Sequence, residues 1–416
     1  MGCCNEQWKN AEKRSRRRSR WTKTSCLSSI LLRRRNLLEH YHEPGRTAAR
    51  CQACGGHRAR QLAPGCLEGV LLEADAASKS LVLTSTNLEI TLKQKLACAA
   101  PEDDALAIDA RLLAGMLEKL PGDTVRLWRD SKGDQLKVWS GDAKYNVSVW
   151  EQSSYPKAEI PAVTRLVRAS GIPSMAKRTV FAADEHNEKP MLKCVHLRFT
   201  QDGLRAAGSD GNCVVTAKGD DKSTGDFSVL IPADSLSRLA QMCGDKDEFR
   251  VGTTGKKVVF VREGFLFSAR LIEADYINTD HLTNTLKNQF TVLTDVAELR
   301  KGLEYVSCVE PDGKVQLTFD GMTLSFQCSG VFGNAQDSIA VAPLTGMPQG
   351  EYWFLTRRLS NCLRALSGTA TLGIAAGGML TLSTENAFYM QTGVRPGLAQ
   401  SAPKKAAKKS PAKKAA

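Results

Sequence analysis

Between residues 63 and 396, short runs alternate apolar and polar positions, and the runs recur in a fixed order. Residues 67–74, 80–85 and 88–97 carry the period of two expected of half-buried strands. The same three-strand unit returns at 192–200, 203–208 and 213–219, and again at 314–319, 322–328 and 338–342. Each unit is followed by a strand leading into a helix: 106–109 into 110–120, 227–231 into 233–243, and 352–355 into 357–366. In the first helix, Leu112, Leu113, Met116, Leu117 and Leu120 fall on one face, and Pro121-Gly122 stops it. Further strands are predicted at 124–128, 135–139 and 144–149, and at 248–252, 257–262 and 265–272. Lys132-Gly133-Asp134 and Glu263-Gly264 supply turns between them.

The pattern predicts an α+β fold: three copies of about 110–125 residues, each of two half-units, with antiparallel sheets carrying their helices on one face. The expected domains are 63–150, 160–283 and 286–396. A 1–62 segment precedes them and a 397–416 tail follows. Units related by a constant rotation either run on as an open array or close into a ring.

Charge separates the ends from the body. The formal net charge is +13, but the first sixty residues hold +11 and the last sixteen +6, which leaves 61–400 at −4. A fold that clings to phosphates through its body would carry its positive excess there. The tail, with six lysines among Ala, Ser and Pro, has the composition of a disordered segment. No apolar run reaches the roughly 18 residues of a membrane helix, and 26–32 is too short and lacks a cleavage site for a secretory signal. Thirteen cysteines then read as free thiols of a reducing, cytoplasmic compartment. Cys194, Cys213, Cys308, Cys328 and Cys362 sit in apolar patterns as small core residues. Cys51-x-x-Cys54 with His57 has metal-like spacing, but Cys66 is its only nearby fourth ligand, so no metal or other cofactor is expected.

Several strings resemble one family, the bacterial β sliding clamps. Leu67-Glu68-Gly69-Val70-Leu71-Leu72-Glu73-Ala74, with Leu81–Leu83 and Ser85-Thr86-Asn87-Leu88-Glu89-Ile90, is similar to that family's first domain. Lys189-Pro190-Met191-Leu192-Lys193-Cys194-Val195 and Ser209-Asp210-Gly211-Asn212 resemble its middle domain, which closes on a segment like Phe267-Ser268-Ala269-Arg270-Leu271-Ile272-Glu273. Tyr389-Met390-Gln391-Thr392-Gly393-Val394-Arg395 resembles its last strand. The resemblance implies a head-to-tail homodimer ring, sheets outside and helices lining a hole that encircles duplex DNA without sequence preference. It implies a processivity factor for the replicative polymerase, with no active site of its own. Weak body charge suits such a ring, because tight phosphate contacts would act as a brake. Residues expected to face the DNA are Lys119, Lys177, Arg178, Lys189, Arg238, Arg300, Lys301, Arg357, Arg358 and Arg364.

The resemblance also implies a pocket between the second and third domains. It would take short linear peptides from the polymerase catalytic subunit, the clamp loader and repair proteins. Its lining would be Leu192, Ser209, Gly211, Asn212, Cys213, Val214, Ile277, His281, Leu282, Met390, Thr392, Gly393 and Val394. The chain departs from the family there. Asn212-Cys213 replaces His-Arg, Tyr276-Ile277-Asn278-Thr279 replaces aromatic-Pro-Asp-Tyr, and Gly393 replaces Pro. Residues 1–62 depart further: they offer neither the opening strand nor the opening helix of the first domain. They are either a basic extension or text read out of frame. Without those elements the first domain is expected to have an open sheet edge and uncovered apolar surface.

Two other classes compete. Basic ends alone would make a chromatin-like nucleic-acid binder. An enzyme would need a motif that is not found: there is no nucleophile elbow, phosphate loop, HExxH or Rossmann fingerprint, and His186, His196 and His281 form no catalytic set.

Overall fold

The computed structural model describes residues 30–33 and 66–395, apart from 122–123, 131–132, 158–159, 161–162, 164–165, 220–224 and Phe332. Among them are six helices: α1 (Ala110–Lys119), α2 (Ile172–Thr179), α3 (Ala233–Met242), α4 (Thr279–Thr285), α5 (Val296–Ser307) and α6 (Thr356–Ala365). Each of the five longer ones buries an apolar stripe. In α1 this is Leu113, Met116 and Leu117, with Asp109 capping Leu112 N–H. In α5 it is Val296, Leu299, Leu303 and Val306, capped by Asp295. None of these helices is long and apolar enough to cross a membrane.

The half-unit is a strand, a helix and a three-stranded meander, and the sheets do not stop at the boundaries between copies. One nine-stranded sheet holds the meander Gly69–Asp75, Ser80–Thr86, Ile90–Ala97 beside Glu248–Thr253, Lys257–Arg262, Phe265–Arg270. The seam is antiparallel, with Phe267 opposite Leu92 and Ser268 opposite Thr91. A second nine-stranded sheet joins Cys194–Thr200, Gly203–Ser209, Cys213–Lys218 to Thr369–Ala375, Met379–Ser383, Ala387–Gln391, with Val215 opposite Tyr389. Both seams obey one rule: the last meander strand of a copy's first half pairs with the last meander strand of the next copy's second half.

Two four-stranded sheets remain at the ends. One runs Ile30–Arg33, Thr124–Arg129, Gln135–Ser140, Ala143–Ser148. The other runs Gly333–Ala340, Thr323–Gly330, Lys314–Asp320, Gln349–Leu355. In each, the last meander strand of a half-unit lies at the edge: Ala143–Ser148 and Gly333–Ala340.

One expectation needs correcting. The place of the opening strand is filled: Ile30–Arg33 pairs antiparallel with Thr124–Arg129, as Val167–Ser170 pairs with Glu248–Thr253 in the second copy. Three apolar residues and an arginine, Ile30-Leu31-Leu32-Arg33, suffice to add one strand, although their arginine-rich surroundings hide it in the sequence. The opening helix expected to be missing lies outside the described residues, as do Cys51, Cys54, His57 and the tail. Val70, Leu72, Leu81 and Leu83 are buried in one core with α1, so this face of the first copy does not expose its apolar residues. The second and third copies share a single continuous core.

Close approach of elements constrains particular glycines. A Cβ on Gly208 would lie 2.5 Å from the carbonyl oxygen of Thr179, at the end of α2, where rigid backbone blocks it. Gly208→Ala is therefore expected to cost about 1–3 kcal/mol, read as a lower urea midpoint with an unchanged slope.

Candidate binding face

The seam between the second and third copies places functional candidates by simple alternation. Along Cys213–Lys218 and Ala387–Gln391, Val214 opposes Met390 and Thr216 opposes Phe388. These four share one sheet face. Cys213, Val215, Tyr389 and Gln391 point to the other, where Tyr389 donates its hydroxyl to Gln391 Oε1 at 2.7 Å.

A tight turn enters this seam. Asp210 Oδ1 accepts the N–H groups of Asn212 (2.8 Å) and Cys213 (2.7 Å), and Ser209 Oγ donates to the Cys213 carbonyl at 2.8 Å. Gly211 takes φ +89°, which favours glycine, and Leu192 packs beside it. The other Asp210 oxygen accepts Arg358 Nε from α6 at 2.7 Å, so one carboxylate fixes the turn and ties it to the third copy. The chain end is stitched alongside. Thr392 donates its N–H (2.9 Å) and its hydroxyl (3.2 Å) to the Asn212 carbonyl, and Val394 donates its N–H to Trp353 at 2.8 Å. A side chain at position 393 would meet the Gly378 carbonyl at 2.8 Å, a physical reason for Gly393.

The connector into the third copy lies over this outer face. Tyr276 donates its hydroxyl to the Ala207 carbonyl at 3.3 Å, with its ring 5.1 Å from that of His196. Asp280 accepts from Arg198 and lies 3.9 Å from Arg205. Asn278 caps α4 by accepting His281 N–H at 3.0 Å. Ile277 and Leu282 are half-buried and His281 is exposed. Between α4 and the seam is a cavity of about 280 Å³, lined in part by Arg205, Thr216, Lys218, Asp280, Glu385 and Phe388.

The sequence-derived pocket residues thus fall into two groups. Leu192, Ser209, Gly211, Asn212, Cys213, Val214, Met390 and Thr392 gather at the turn and seam, with Gly393 and Val394 drawn toward Trp353. Ile277, His281 and Leu282 belong to the connector, and none of the thirteen lines the cavity itself. Its walls come from their neighbours Thr216, Phe388, Thr279 and Asp280. Sequence reading met Tyr276 only as a departure from the family and passed over Arg198, Arg205 and Asp280. The available signal was a pair of arginines at polar positions of facing strands.

Titration on this face follows burial. Burial pushes the Cys213 thiol up to about 12, helped by the Asp210 charge, and Cys194 up to about 11. Both stay protonated, so neither serves as a thiolate nucleophile. Burial, with the Arg198 cation beside it, brings His196 down to about 4, against a smaller opposing pull from Asp280. Among the described residues, no group of three or more His, Cys, Asp and Glu is placed to hold a metal.

Nine of the ten cations expected to face DNA lie on helices. Lys119 ends α1, Lys177 and Arg178 end α2, Arg238 is on α3, Arg300 and Lys301 are on α5, and Arg357, Arg358 and Arg364 are on α6. Lys189 precedes the 190–193 turn. Several are engaged: Lys177 with Asp245 (2.7 Å), Arg238 with Asp234 (2.8 Å), and Arg358 with Asp210. Lys119, Lys189, Lys301, Arg357 and Arg364 are exposed.

Comparison with known proteins turns this geometry into a family assignment. Residues 52–159 match the family model for the DNA polymerase III beta subunit, N-terminal domain, and 167–278 match that for its central domain, together more than half the chain. The chain belongs to the beta sliding clamp family. Family members are non-catalytic processivity subunits of DNA replication. The Synechococcus elongatus beta sliding clamp is 26% identical over 317 residues, 73% of this chain and 83% of that one. The Streptococcus pneumoniae clamp is 25% identical over 292 residues, 66% and 76%. A Pseudomonas aeruginosa sliding clamp crystallised with griselimycin superposes with TM-score 0.76 at 18% identity, over 89% of this chain and all of that one. The Bacillus subtilis clamp gives 0.74 at 17%, over 89% and 100%. These distant structural likenesses show the same fold, third copy included.

Two outcomes follow for this clamp. Arg358→Met leaves the largely buried Asp210 carboxylate without its cation and should cost about 1–3 kcal/mol in urea unfolding. The unfolded chain protonates His196 near 6.5, whereas the folded protein resists until about 4. The stability tied to this group is therefore complete above pH 6.5 and is lost as pH falls from 6.5 toward 4. Melting temperatures from pH 7 to 5 should fall less steeply in His196→Gln than in the parent, Arg198, Arg205, Tyr276 and Asp280 being unchanged.

Proposed function

We propose that two copies of this clamp close head to tail into a ring around duplex DNA, and that the outer face of the second seam docks peptides from replication partners. The pairing rule of the sheets carries the first part. Both seams within the chain join last meander strands of successive copies. Applied once more, the rule pairs Gly333–Ala340 of one protomer with Ala143–Ser148 of the next. Two such joints complete six copies and leave neither strand as an open edge.

Confinement then replaces affinity. The mildly acidic body has no need to grip phosphates, and the exposed cations on α1, α5 and α6 supply weak contacts that permit sliding. Half-buried Ile277 and Leu282 on the connector and Phe388 on the seam offer apolar anchors for an extended peptide above the buried Val214 and Met390, and the Arg205, Lys218, Asp280 and Glu385 groups give a polar rim. The polymerase catalytic subunit, clamp loader and repair proteins are the partners this surface suits. Asn212, Cys213 and Gly393 retune it, so preferred peptides should differ from those of other clamps.

Retention on DNA tests the ring. The clamp, loaded on nicked circular plasmid, should remain through gel filtration at high salt and be lost when the plasmid is linearised. Removing 1–29 and 397–416 should leave both behaviours intact. Equal retention on circular and linear DNA, or loss with the basic ends, would replace the ring with simple electrostatic binding. Leu282→Lys should weaken binding of a fluorescent polymerase-derived peptide at least tenfold without altering retention. Unchanged peptide affinity would move the docking site elsewhere.

A further inference from the structure

The terminal sheet of the first copy has an outer face rich in cations and tryptophan. Strands Thr124–Arg129, Gln135–Ser140 and Ala143–Ser148 turn Val125, Leu127, Leu136 and Val138 into the core, with Tyr145 and Val147 packed against it. Alternation puts Thr124, Arg126, Trp128, Gln135, Lys137, Trp139, Lys144, Asn146 and Ser148 on the opposite side, away from α1. Three of these nine are cations, two are tryptophans and none is a carboxylate, in a body whose net charge is −4.

Their register interleaves them. Arg126, Trp139 and Lys144 form one row across the three strands, and Trp128, Lys137 and Asn146 the next. The two indoles meet edge to face with centroids 4.6 Å apart, and Lys144 Nζ stands 4.5 Å from the centre of the Trp139 ring. No carboxylate among the described residues is ion-paired to Arg126, Lys137 or Lys144. The corresponding face of the third copy is an internal control. Its meander strands present Gln316, Thr318, Ser325, Gln327, Gln336 and Ser338 at the middle of that face, with Lys314 and Asp320 at the ends of one strand, and the adjoining strand adds Trp353 and Glu351. That face mixes one ring with both signs of charge, whereas the first copy's three meander strands carry two rings and cations alone.

We infer that this face is a binding site for single-stranded nucleic acid, with Trp128 and Trp139 stacking bases and Arg126, Lys137 and Lys144 meeting the phosphates. Aromatic rings flanked by cations on an open sheet suit unpaired bases, whose faces are free, and not duplex, whose bases are stacked on one another. The site lies on the side of the sheet opposite the helices. It is separate from any hole those helices line and from the seam that docks peptides. It could hold an unpaired strand beside a duplex bound elsewhere. Lys144 already pairs with a ring, and it moves from ring to phosphate as a base takes its place.

The test titrates the full-length protein with fluorescein-labelled oligo(dT) of about 16 nucleotides, reading anisotropy and tryptophan emission together. The expected result is saturable binding that quenches emission. Trp128→Phe/Trp139→Phe should bind with little loss yet abolish the quenching. Trp128→Thr/Trp139→Thr should bind at least about tenfold more weakly. Lys137→Gln/Lys144→Gln, which keeps both rings and the core, should weaken binding and lower the slope of log affinity against log salt by about 1.4. Thermal melts of each variant separate lost binding from lost folding. Binding without quenching and indifferent to Lys137→Gln/Lys144→Gln would assign the oligonucleotide to the basic termini and overturn the site. Quenching by polyglutamate but not by oligo(dT) would make it an acidic-polypeptide site and overturn it as well. So would blunt duplex binding as tightly as oligo(dT).

Discussion

Main-chain hydrogen bonding across copy boundaries is the constraint on which this structure depends. Isolated, each half-unit would expose the edge of a three-stranded meander, a template for uncontrolled pairing. The chain removes that hazard twice by letting meanders of successive copies continue one sheet, Phe265–Arg270 against Ile90–Ala97 and Ala387–Gln391 against Cys213–Lys218. A continuous core through the second and third copies and the position of the candidate binding face both follow from those seams. The two strands left over are the ones the same rule would join between protomers.

The second seam does more than hold copies together. Its alternation sends Tyr389 and Gln391 to one side and Val214, Thr216, Phe388 and Met390 to the other, where Val214 and Met390 are themselves buried and Thr216 and Phe388 half-buried. Asp210 links the turn that starts the seam to Arg358 on α6, and the Asn212 carbonyl anchors the chain end through Thr392. A peptide docking here would contact parts of two copies already locked by backbone bonds. Binding would then have little ordering cost on the clamp side. The charge distribution agrees with a protein that works by enclosure: mildly acidic where the fold is, basic at its ends and on selected helix surfaces.

How far the sequence reveals this depends on which forces are local. The leucine spacing of 110–120 and the alternation of 192–200 are written residue by residue, and the elements stand within a residue or two of their predicted places. The α5 stripe of Val296, Leu299, Leu303 and Val306, with Asp295 as its cap, is equally local, yet the repeat search passed it by. By contrast α4, Thr-Asp-His-Leu-Thr-Asn-Thr, has no apolar period and exists because Asn278 caps it and Asp280 pairs with arginines from two neighbouring strands. Gly333–Ala340 is read short because its first half is polar, as an edge strand's can be. The residues at 209–214 and 390–392 are proposed for the pocket through family resemblance, and the structure gathers them at the turn and seam. The cavity next to them is built by cross-strand partners more than 150 residues apart, Thr216 and Phe388, which no local pattern brings together. The tryptophan and lysine checkerboard likewise becomes visible only when register is known.

Amide hydrogen exchange across a range of protein concentrations tests the central claim most directly. If the edge strands join protomers, amides in 143–148 and in 333–340 gain protection together as concentration rises, whereas 213–218 and 387–391 stay protected at every concentration. Doubling of the solution mass with both edge strands still exchanging freely, or protection of one without the other, would contradict the rule that one seam is used throughout.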